Sequence, residues 1–372
     1  MADALKTFFN PPLVRRLADT IAAVHPRFSR DAFVKDAGKG LERLELLDRA
    51  RHIAGALSRH LPRAYPDAVD ILLRSLGPEH ASDELVGVGM APFFYMPHVL
   101  FVAERGLDHF DLSLQAQYEL TKRFSAESSI RAYIARDPER TFAALEKWTA
   151  DPNAHVRRLA SEGTRLRLPW AQRVPWLDAH PERVIALLER LKDDPSTMVR
   201  RSVANNLNDL GKVRPDLLAQ TAAAWLDGAP AERKQLIAHA LRSAIKRGNA
   251  DALRLLGFGK TASVVLEGVR LYPKRARIGG RVEMTFTLRS TSRASQDLLV
   301  DVGVHFVKAR GHTSRKVFKV ARVSLKPRAR LTLKWSVSLA VHTTRVPRPG
   351  KHAVDVIVNG RTMPAGSFDV TQ

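Results

Sequence analysis

Residues 151–170 read DPNAHVRRLASEGTRLRLPW, and 43 residues after its start the pattern returns as DPSTMVRRSVANNLNDLGK over residues 194–212. Both stretches open on Asp-Pro and carry Val-Arg-Arg five residues later. A third match at the same offset, Pro-Glu-Arg, begins at Pro138 and again at Pro181. A repeat of this length is typical of HEAT-type helix pairs, which stack into a solenoid because one pair cannot bury its apolar face alone.

Each repeat is predicted to contain an outer and an inner helix. Proline in a first helical turn removes no hydrogen bond, so each Asp-Pro pair marks the start of a helix. The predicted outer helices cover about 138–149 and 181–192, and the inner helices about 153–163 and 196–209. An earlier inner helix is predicted over about 126–135. Inner helices line the concave face, which solenoids use for binding.

Charged residues recur four apart on each predicted inner helix, which places them on one helical face. The sets are Glu127 with Arg131, Arg158 with Glu162, and Arg201 with Asn205 and Asp209. Two interpretations stay open. The residues form surface ion pairs worth about 0.3–0.5 kcal/mol each. Alternatively, the carboxylates meet positive charge that develops when a glycosidic bond breaks.

The segment after the second inner helix contains an unusual tryptophan. Gly163 is predicted to cap that helix, which leaves Trp170 in the following loop. A single tryptophan fits packing in the core as well as it fits stacking on a nucleotide.

The pattern changes near Thr261. Beyond it, apolar and polar residues alternate, as in Val282–Arg289, and about seven such runs are separated by Gly, Pro and Asn turns. This is typical of an immunoglobulin-like β-sandwich. We therefore predict a multidomain α plus β protein, with a HEAT-like helical solenoid over residues 1–260 and a basic β-sandwich over residues 261–372.

The charge of the chain predicts a polyanionic partner. The 372 residues hold 60 Lys and Arg against 38 Asp and Glu, a net charge of +22. Residues 262–372 alone hold 21 basic and 6 acidic residues, or +15. Contact with nucleic acid is favoured over a merely solvated basic surface.

Several classes of function are disfavoured. The chain has no cysteine, which excludes disulfides, iron–sulfur clusters and thiol nucleophiles. The histidines lack metal-ligand spacing, so no metal is expected. Gly257–Thr261 resembles the end of a phosphate-binding loop without its first glycine, so no nucleotide cofactor is expected. No apolar run approaches the length of a membrane helix, and Met1–Val14 lacks the apolar core of a secretory signal, which favours a cytoplasmic protein.

Three segments resemble the HEAT-like alkylpurine DNA glycosylase superfamily. They are Leu120–Arg131, the stretch from Asp151 to Trp170, and Val199–Lys212. The last is similar to a motif shared across the superfamily, whereas Glu-Gly-Thr-Arg followed by Pro-Trp resembles its AlkC branch. Some members of that branch carry a C-terminal immunoglobulin-like domain.

The resemblance implies a monofunctional DNA glycosylase of base excision repair. Such a protein excises cationic alkylated bases, 3-methyladenine and 3-methylcytosine, from double-stranded DNA without a cofactor and without fully flipping the base. The resemblance implies catalytic roles for Asp209, Glu162, Glu127 and Trp170. It implies that DNA is bound by Arg158, Arg165, Arg201, Arg131, Asn205 and Lys212. We expect a monomer.

Two alternatives remain open at this point. One is a non-catalytic HEAT-repeat scaffold that binds nucleic acid, and the other is a solenoid that binds an acidic protein. The β-domain is expected to contact DNA, with a solubility or partner-docking role as its alternative.

Overall fold

The computed structural model describes residues 5–80, 89–342 and 346–372. These divide into two compact units. The first comprises the described residues up to Arg214 together with Trp225–Ala240, and the second comprises Pro215–Ala224 together with Leu241–Gln372. The sequence predicted a boundary at residue 260. The second unit instead includes residues 241–260, because Leu253 and Phe258 pack against Leu299 of its β-sheet.

Helices make up most of the described chain up to residue 255. Short 3₁₀ turns lie at Leu5–Phe8, Leu41–Arg43 and Ala91–Tyr95. The α-helices are α1 Pro11–Val24, α2 Arg30–Gly38, α3 Leu46–His60, α4 Tyr65–Arg74, α5 Met96–Arg105, α6 Phe110–Thr121, α7 Ile130–Arg136, α8 Pro138–Trp148, α9 Ala154–Gly163, α10 Pro175–Ala179, α11 Pro181–Glu189, α12 Thr197–Leu210, α13 Pro215–Leu226, α14 Ala231–Ala240, α15 Arg242–Lys246 and α16 Ala250–Leu255.

The predicted outer helices correspond to α8 and α11, and two of the predicted inner helices to α9 and α12. The earlier inner helix differs from its prediction. It begins only at Ile130, so Glu127 lies in the turn before α7 and does not share a helical face with Arg131.

The Asp-Pro pairs start the inner helices by a mechanism other than the predicted one. Each pair precedes its helix instead of forming the first turn. The Asp151 carboxylate accepts a hydrogen bond from the amide of Asn153 at 2.8 Å, and the Asp194 carboxylate accepts one from the amide of Ser196 at 2.8 Å. These are Asx turns, which turn the chain into the helix.

The Val-Arg-Arg triplets close the same turns from the other side. The guanidinium of Arg157 donates to the carbonyls of Asp151 and Pro152, and that of Arg200 donates to the carbonyls of Asp194 and Pro195. Arg157 also donates from Nε and Nη2 to both carboxylate oxygens of Asp194, at 2.7 and 3.0 Å. The sequence repeat is therefore a structural repeat, and one arginine ties its two copies together.

Helices α9 and α12 pack through a buried polar network. Ser202 Oγ donates to Ser161 Oγ at 2.8 Å, and Asn206 Nδ2 donates to the Ser161 carbonyl at 2.8 Å and to Thr164 Oγ1 at 3.1 Å. All four side chains are at most 1% exposed. These bonds fix the register of the two helices, while Asn206 Oδ1 is buried without a hydrogen-bond partner among the described residues.

Gly163 ends α9 but does not cap it, because the capping residue is Thr164. Its lack of a side chain serves a close approach to α7. A Cβ atom at this position would lie 2.5 Å from Ile130 Cγ2. Helices α7 and α9 are thus held nearer to each other than an alanine would permit.

Eight strands form the described part of the second unit beyond its helices, one more than the approximate number predicted. They are β1 Val264–Tyr272, β2 Arg275–Arg277, β3 Arg281–Ser290, β4 Gln296–Val307, β5 Thr313–Leu325, β6 Arg330–Ser338, β7 Gly350–Val358 and β8 Arg361–Thr371. The three residues of β2 are too few to show an alternating pattern in the sequence.

The strands form two sheets around one core. The orders are β1-β3-β6 and β2-β8-β7-β4-β5, antiparallel except for the β2–β8 pair. Phe286 from the first sheet and Val302 and Phe368 from the second belong to the same buried apolar cluster. Asn359 and Gly360 join β7 to β8, and both have positive φ, as a tight hairpin turn requires.

Candidate active site

Six charged side chains of the first unit form a chain in which negative and positive groups alternate. Its order is Glu127, Arg158, Glu162, Arg165, Asp209 and Lys212. They come from the turn before α7, from α9 and the loop that follows it, and from the end of α12 and the turn that follows it. The structure therefore brings together the three carboxylates predicted to be catalytic and three of the cations predicted to bind DNA.

Arg165 is the centre of this charged chain. Its Nη1 lies 3.0 Å from Glu162 Oε2, while its Nε and Nη2 both lie 2.8 Å from Asp209 Oδ2. The carboxylates of Glu162 and Asp209 are 5% and 1% exposed. Burial alone would lower the pKa of Arg165, but the charges of Glu162 and Asp209 outweigh it and raise the pKa above its ordinary value.

The two ends of the charged chain, Glu127 and Lys212, reach solvent. At one end, Lys212 Nζ contacts Asp209 Oδ1 at 2.7 Å while 43% of its side chain is exposed. At the other, Arg158 Nη2 contacts Glu127 Oε2 at 3.0 Å, and Ser125 Oγ donates to the same oxygen at 2.7 Å. The cations that contact Glu162 and Asp209 from the two ends, Arg158 and Lys212, are therefore partly exposed to solvent.

Trp170 lies in the loop of residues 164–174, which we call the Trp170 loop. Its φ is +61°, in the left-handed region that costs a non-glycine residue about 1–2 kcal/mol. Its side chain is 64% exposed, so the interpretation as a core residue is wrong. A strained and exposed aromatic residue is typical of a contact surface.

The Trp170 side chain borders two adjoining clefts. One, of about 270 Å³, is lined by Phe93, Phe124 and Leu168 together with Glu127 and Arg158. The other, of about 280 Å³, is lined mainly by α5, the start of α7 and residues 170–174. An aromatic surface, a carboxylate and an arginine thus share one depression, a composition suited to a planar ligand that carries positive charge.

Arg131 is buried, whereas the resemblance implied that it binds DNA. The side chain is 3% exposed, and its guanidinium donates to the carbonyls of Gly163, Arg165 and Gln172 at 2.8–2.9 Å. Burial lowers its pKa to about 10. A guanidinium already bonded to three carbonyls is not placed to hold a phosphate, so the assignment of Arg131 to DNA binding is not supported.

Arg201 and Asn205 lie on α12 outside the charged chain. Arg201 is exposed, and within the described residues it forms no ion pair. It borders a hollow of about 150 Å³ that also includes His239. Asn205 Oδ1 lies 3.1 Å from His239 Nε2. The face of α12 that carries these residues therefore runs from the buried carboxylate of Asp209 to the exposed guanidinium of Arg201.

Sequence reasoning missed the walls of the cleft and the polar contact of Glu127. Phe93 and Phe124 come from segments far from Trp170 in the chain, and nothing in either segment signals their meeting. Ser125 lies only two residues from Glu127, but its role depends on the turn that replaced the predicted helix. Among residues 5–80, 89–342 and 346–372, no cluster of His, Asp and Glu is arranged to hold a metal, and no helix is long and apolar enough to cross a membrane.

Comparison with known proteins covers both units. A family model described as DNA alkylation repair enzyme matches residues 124–247, and one described as the C-terminal Ig-like domain of uncharacterised protein YhaZ matches residues 265–372. The chain is 33% identical over 371 residues to uncharacterized protein YhaZ of Bacillus subtilis (strain 168), with 100% of both covered. It is similar to the structure of Pseudomonas fluorescens alkylpurine DNA glycosylase AlkC bound to DNA containing an abasic site analog. That similarity has a TM-score of 0.92 and 35% identity, with 100% of each chain covered.

Proposed function

Because the chain belongs to the AlkC branch of the alkylpurine DNA glycosylases, we propose that it releases 3-methyladenine and 3-methylcytosine, both cationic when bonded to the sugar, from double-stranded DNA. The observation that carries the proposal is the buried pair of carboxylates, Glu162 and Asp209, held by one guanidinium beside an exposed tryptophan. Carboxylates fixed in this way are suited to stabilising positive charge that develops on a sugar.

The reaction is a hydrolysis at C1′ of the nucleotide. The bond between C1′ and the base nitrogen breaks, and the base takes the electron pair and leaves neutral. The sugar passes through an oxocarbenium-like state, water adds at C1′, and its proton goes to a carboxylate or to solvent. Asp209 is the first choice for stabilising the sugar and positioning the water, with Glu162 and Glu127 in supporting positions.

The exposed ends of the charged chain give the DNA backbone access to this pair. A phosphate that draws the ammonium of Lys212 away leaves Asp209 Oδ1 facing the sugar. Arg158 and Arg201 hold neighbouring phosphates, Arg165 keeps the two carboxylates in place, and Asn205 extends the contact along α12. Trp170 packs on the lesion nucleotide, whose base does not fully leave the helix.

The strand-rich unit is proposed to add contacts to DNA. Its residues 262–372 carry +15 of the net charge of +22, and its strand β5 presents Arg315, Lys316 and Lys319 to solvent. Its immunoglobulin-like class is the one that the family model over residues 265–372 describes.

A non-catalytic scaffold remains the second candidate, because every carboxylate of the charged chain is already paired with a cation. Such a protein would bind undamaged duplex with a steep dependence on salt and release no base.

The test is base release by the purified wild-type chain. Duplex DNA carrying 3-methyladenine or 3-methylcytosine is incubated with the protein, and freed base and alkali-labile sites are counted against a sample without protein. Release above spontaneous loss supports the glycosylase. Tight, salt-sensitive binding without release would instead favour the scaffold.

A further inference from the structure

Arg131 joins the two ends of the Trp170 loop. From the first turn of α7, its Nη1 donates to the carbonyls of Gly163 at 2.9 Å and Arg165 at 2.8 Å. Its Nε donates to the carbonyl of Gln172 at 2.9 Å. One buried side chain thus holds the loop where it leaves α9 and again shortly before α10 begins.

Side chains such as Leu166 and Leu168, 2% and 6% exposed, anchor the loop, but its backbone forms few hydrogen bonds of its own. Its own backbone bonds include a long one of 3.4 Å from the amide of Ala171 to the carbonyl of Leu168. Yet it carries Arg165, which bridges Glu162 and Asp209, and Trp170 in its strained conformation. A strained residue persists only where its surroundings fix the backbone.

We propose that Arg131 is a positioning residue for the reaction, which fixes the Trp170 loop so that Arg165 stays between the two carboxylates and Trp170 keeps its exposed pose. The inference rests on the proposed function, but it assigns Arg131 a task different from DNA binding. Removal of the guanidinium releases three carbonyls at once, and the loop that carries Arg165 and Trp170 becomes mobile.

The chain offers a matched control in Arg49. Its side chain belongs to a residue 7% exposed, and its guanidinium donates to the carbonyls of Leu44, Lys6, Phe9 and Glu42 at 2.9–3.0 Å. It has the same chemistry as Arg131 but lies on α3, outside the charged chain and the Trp170 loop. A variant at Arg49 therefore loses a comparable set of bonds without touching the site.

The experiment compares Arg131→Met, Arg131→Lys and Arg49→Met in the full-length chain. Single-turnover base release and the dissociation constant for DNA are measured separately. Limited trypsin digestion, followed by mass spectrometry, records cleavage after Arg165, Arg167 and Arg173 in the folded protein. Thermal melting gives the folded fraction to which all rates are normalised.

We expect Arg131→Met to release base about 100-fold more slowly, since a small misplacement of the reacting groups has that scale of effect. Its DNA affinity stays near wild type, and cleavage within the Trp170 loop becomes faster. Arg131→Lys keeps the charge but not the fork of donors, so its rates of base release and loop cleavage should lie between those of wild type and Arg131→Met. It replaces Arg131→Met in the comparison if that variant does not fold. Arg49→Met matches wild type in release and in loop cleavage.

Wild-type release by Arg131→Met, or equal losses in Arg131→Met and Arg49→Met, would overturn the proposal. So would slower release without faster loop cleavage, because the effect would then not act through the loop. If the wild-type chain itself releases no base, the proposed function fails first, and faster loop cleavage would show Arg131 to be a purely structural clamp.

Discussion

Replacement of Asp209 by asparagine separates catalysis from the stability that the same carboxylate supplies. Asparagine keeps the shape of the side chain but removes the charge that faces Arg165 at 2.8 Å and Lys212 at 2.7 Å. Breaking a buried ion pair typically costs 3–5 kcal/mol. Here Arg165 retains Glu162 and Lys212 is 43% exposed, so we expect a loss of about 2 kcal/mol in the free energy of unfolding.

The catalytic loss should be larger than stability explains. Removing one preorganised electrostatic contact from a reaction centre lowers the rate about 100- to 1000-fold. Asp209→Asn should therefore release base at that reduced rate while remaining folded. Its affinity for DNA should be kept or raised, because one negative charge near the phosphates is lost. Single-turnover release and urea unfolding give the two quantities separately.

Asp194→Asn is the matched control for this variant. Asp194 is also a buried carboxylate, paired with Arg157 at 2.7 and 3.0 Å at the start of the same repeat, but it lies outside the charged chain. It should lose similar stability and keep its rate of release per folded molecule. Undiminished release by folded Asp209→Asn, or an equal loss in Asp194→Asn, would refute the role of Asp209 in the chemistry.

Three further predictions concern packing, acid stability and the strand-rich unit. Gly163→Ala should cost about 1–3 kcal/mol in urea unfolding, because its Cβ would lie 2.5 Å from Ile130 Cγ2, and an unchanged midpoint would contradict the close packing of α7 and α9. Burial lowers the pKa of His98 from 6.5 to about 4, so between these pH values the unfolded chain binds a proton that the folded chain does not. The free energy of unfolding should therefore fall by about 3 kcal/mol as the pH falls from 6.5 to 4. His98→Leu should flatten this pH dependence of stability, and parallel curves for the variant and the wild type would argue against it. Joint replacement of Arg315 and Lys319 by glutamine should reduce the salt slope of DNA binding by about 2, whereas an unchanged slope would place the strand-rich unit away from DNA.

The features that the sequence predicts well are those whose chemistry is local. The helical start after each Asp-Pro pair depends on an amide two residues away, and the Val-Arg-Arg triplets bond to carbonyls five or six residues back. The alternation in residues 282–289 likewise shows a strand directly, and β3 covers it. Such patterns carry their own explanation within one turn or one strand.

The errors concern side chains whose partners lie far along the chain. The spacing between Glu127 and Arg131 suggested one helical face, yet Arg131 points to a loop more than thirty residues later and Glu127 to Arg158. The boundary of the second unit shifted because Leu253 and Phe258 find Leu299 in a distant strand. In both cases the contact partner is distant in the sequence, so the residues next to it give no sign of the contact.

The double role of Arg157 has a consequence for cooperativity. Its guanidinium belongs at once to the turn that starts α9 and, through Asp194, to the turn that starts α12. Opening either repeat therefore breaks bonds of its neighbour, and the nearest-neighbour coupling that governs stacked repeats is strong at this junction. Amide protons of α9 and α12 should then exchange with solvent as one cooperative unit. Local unfolding would displace Glu162 and Asp209 from the site together and never singly.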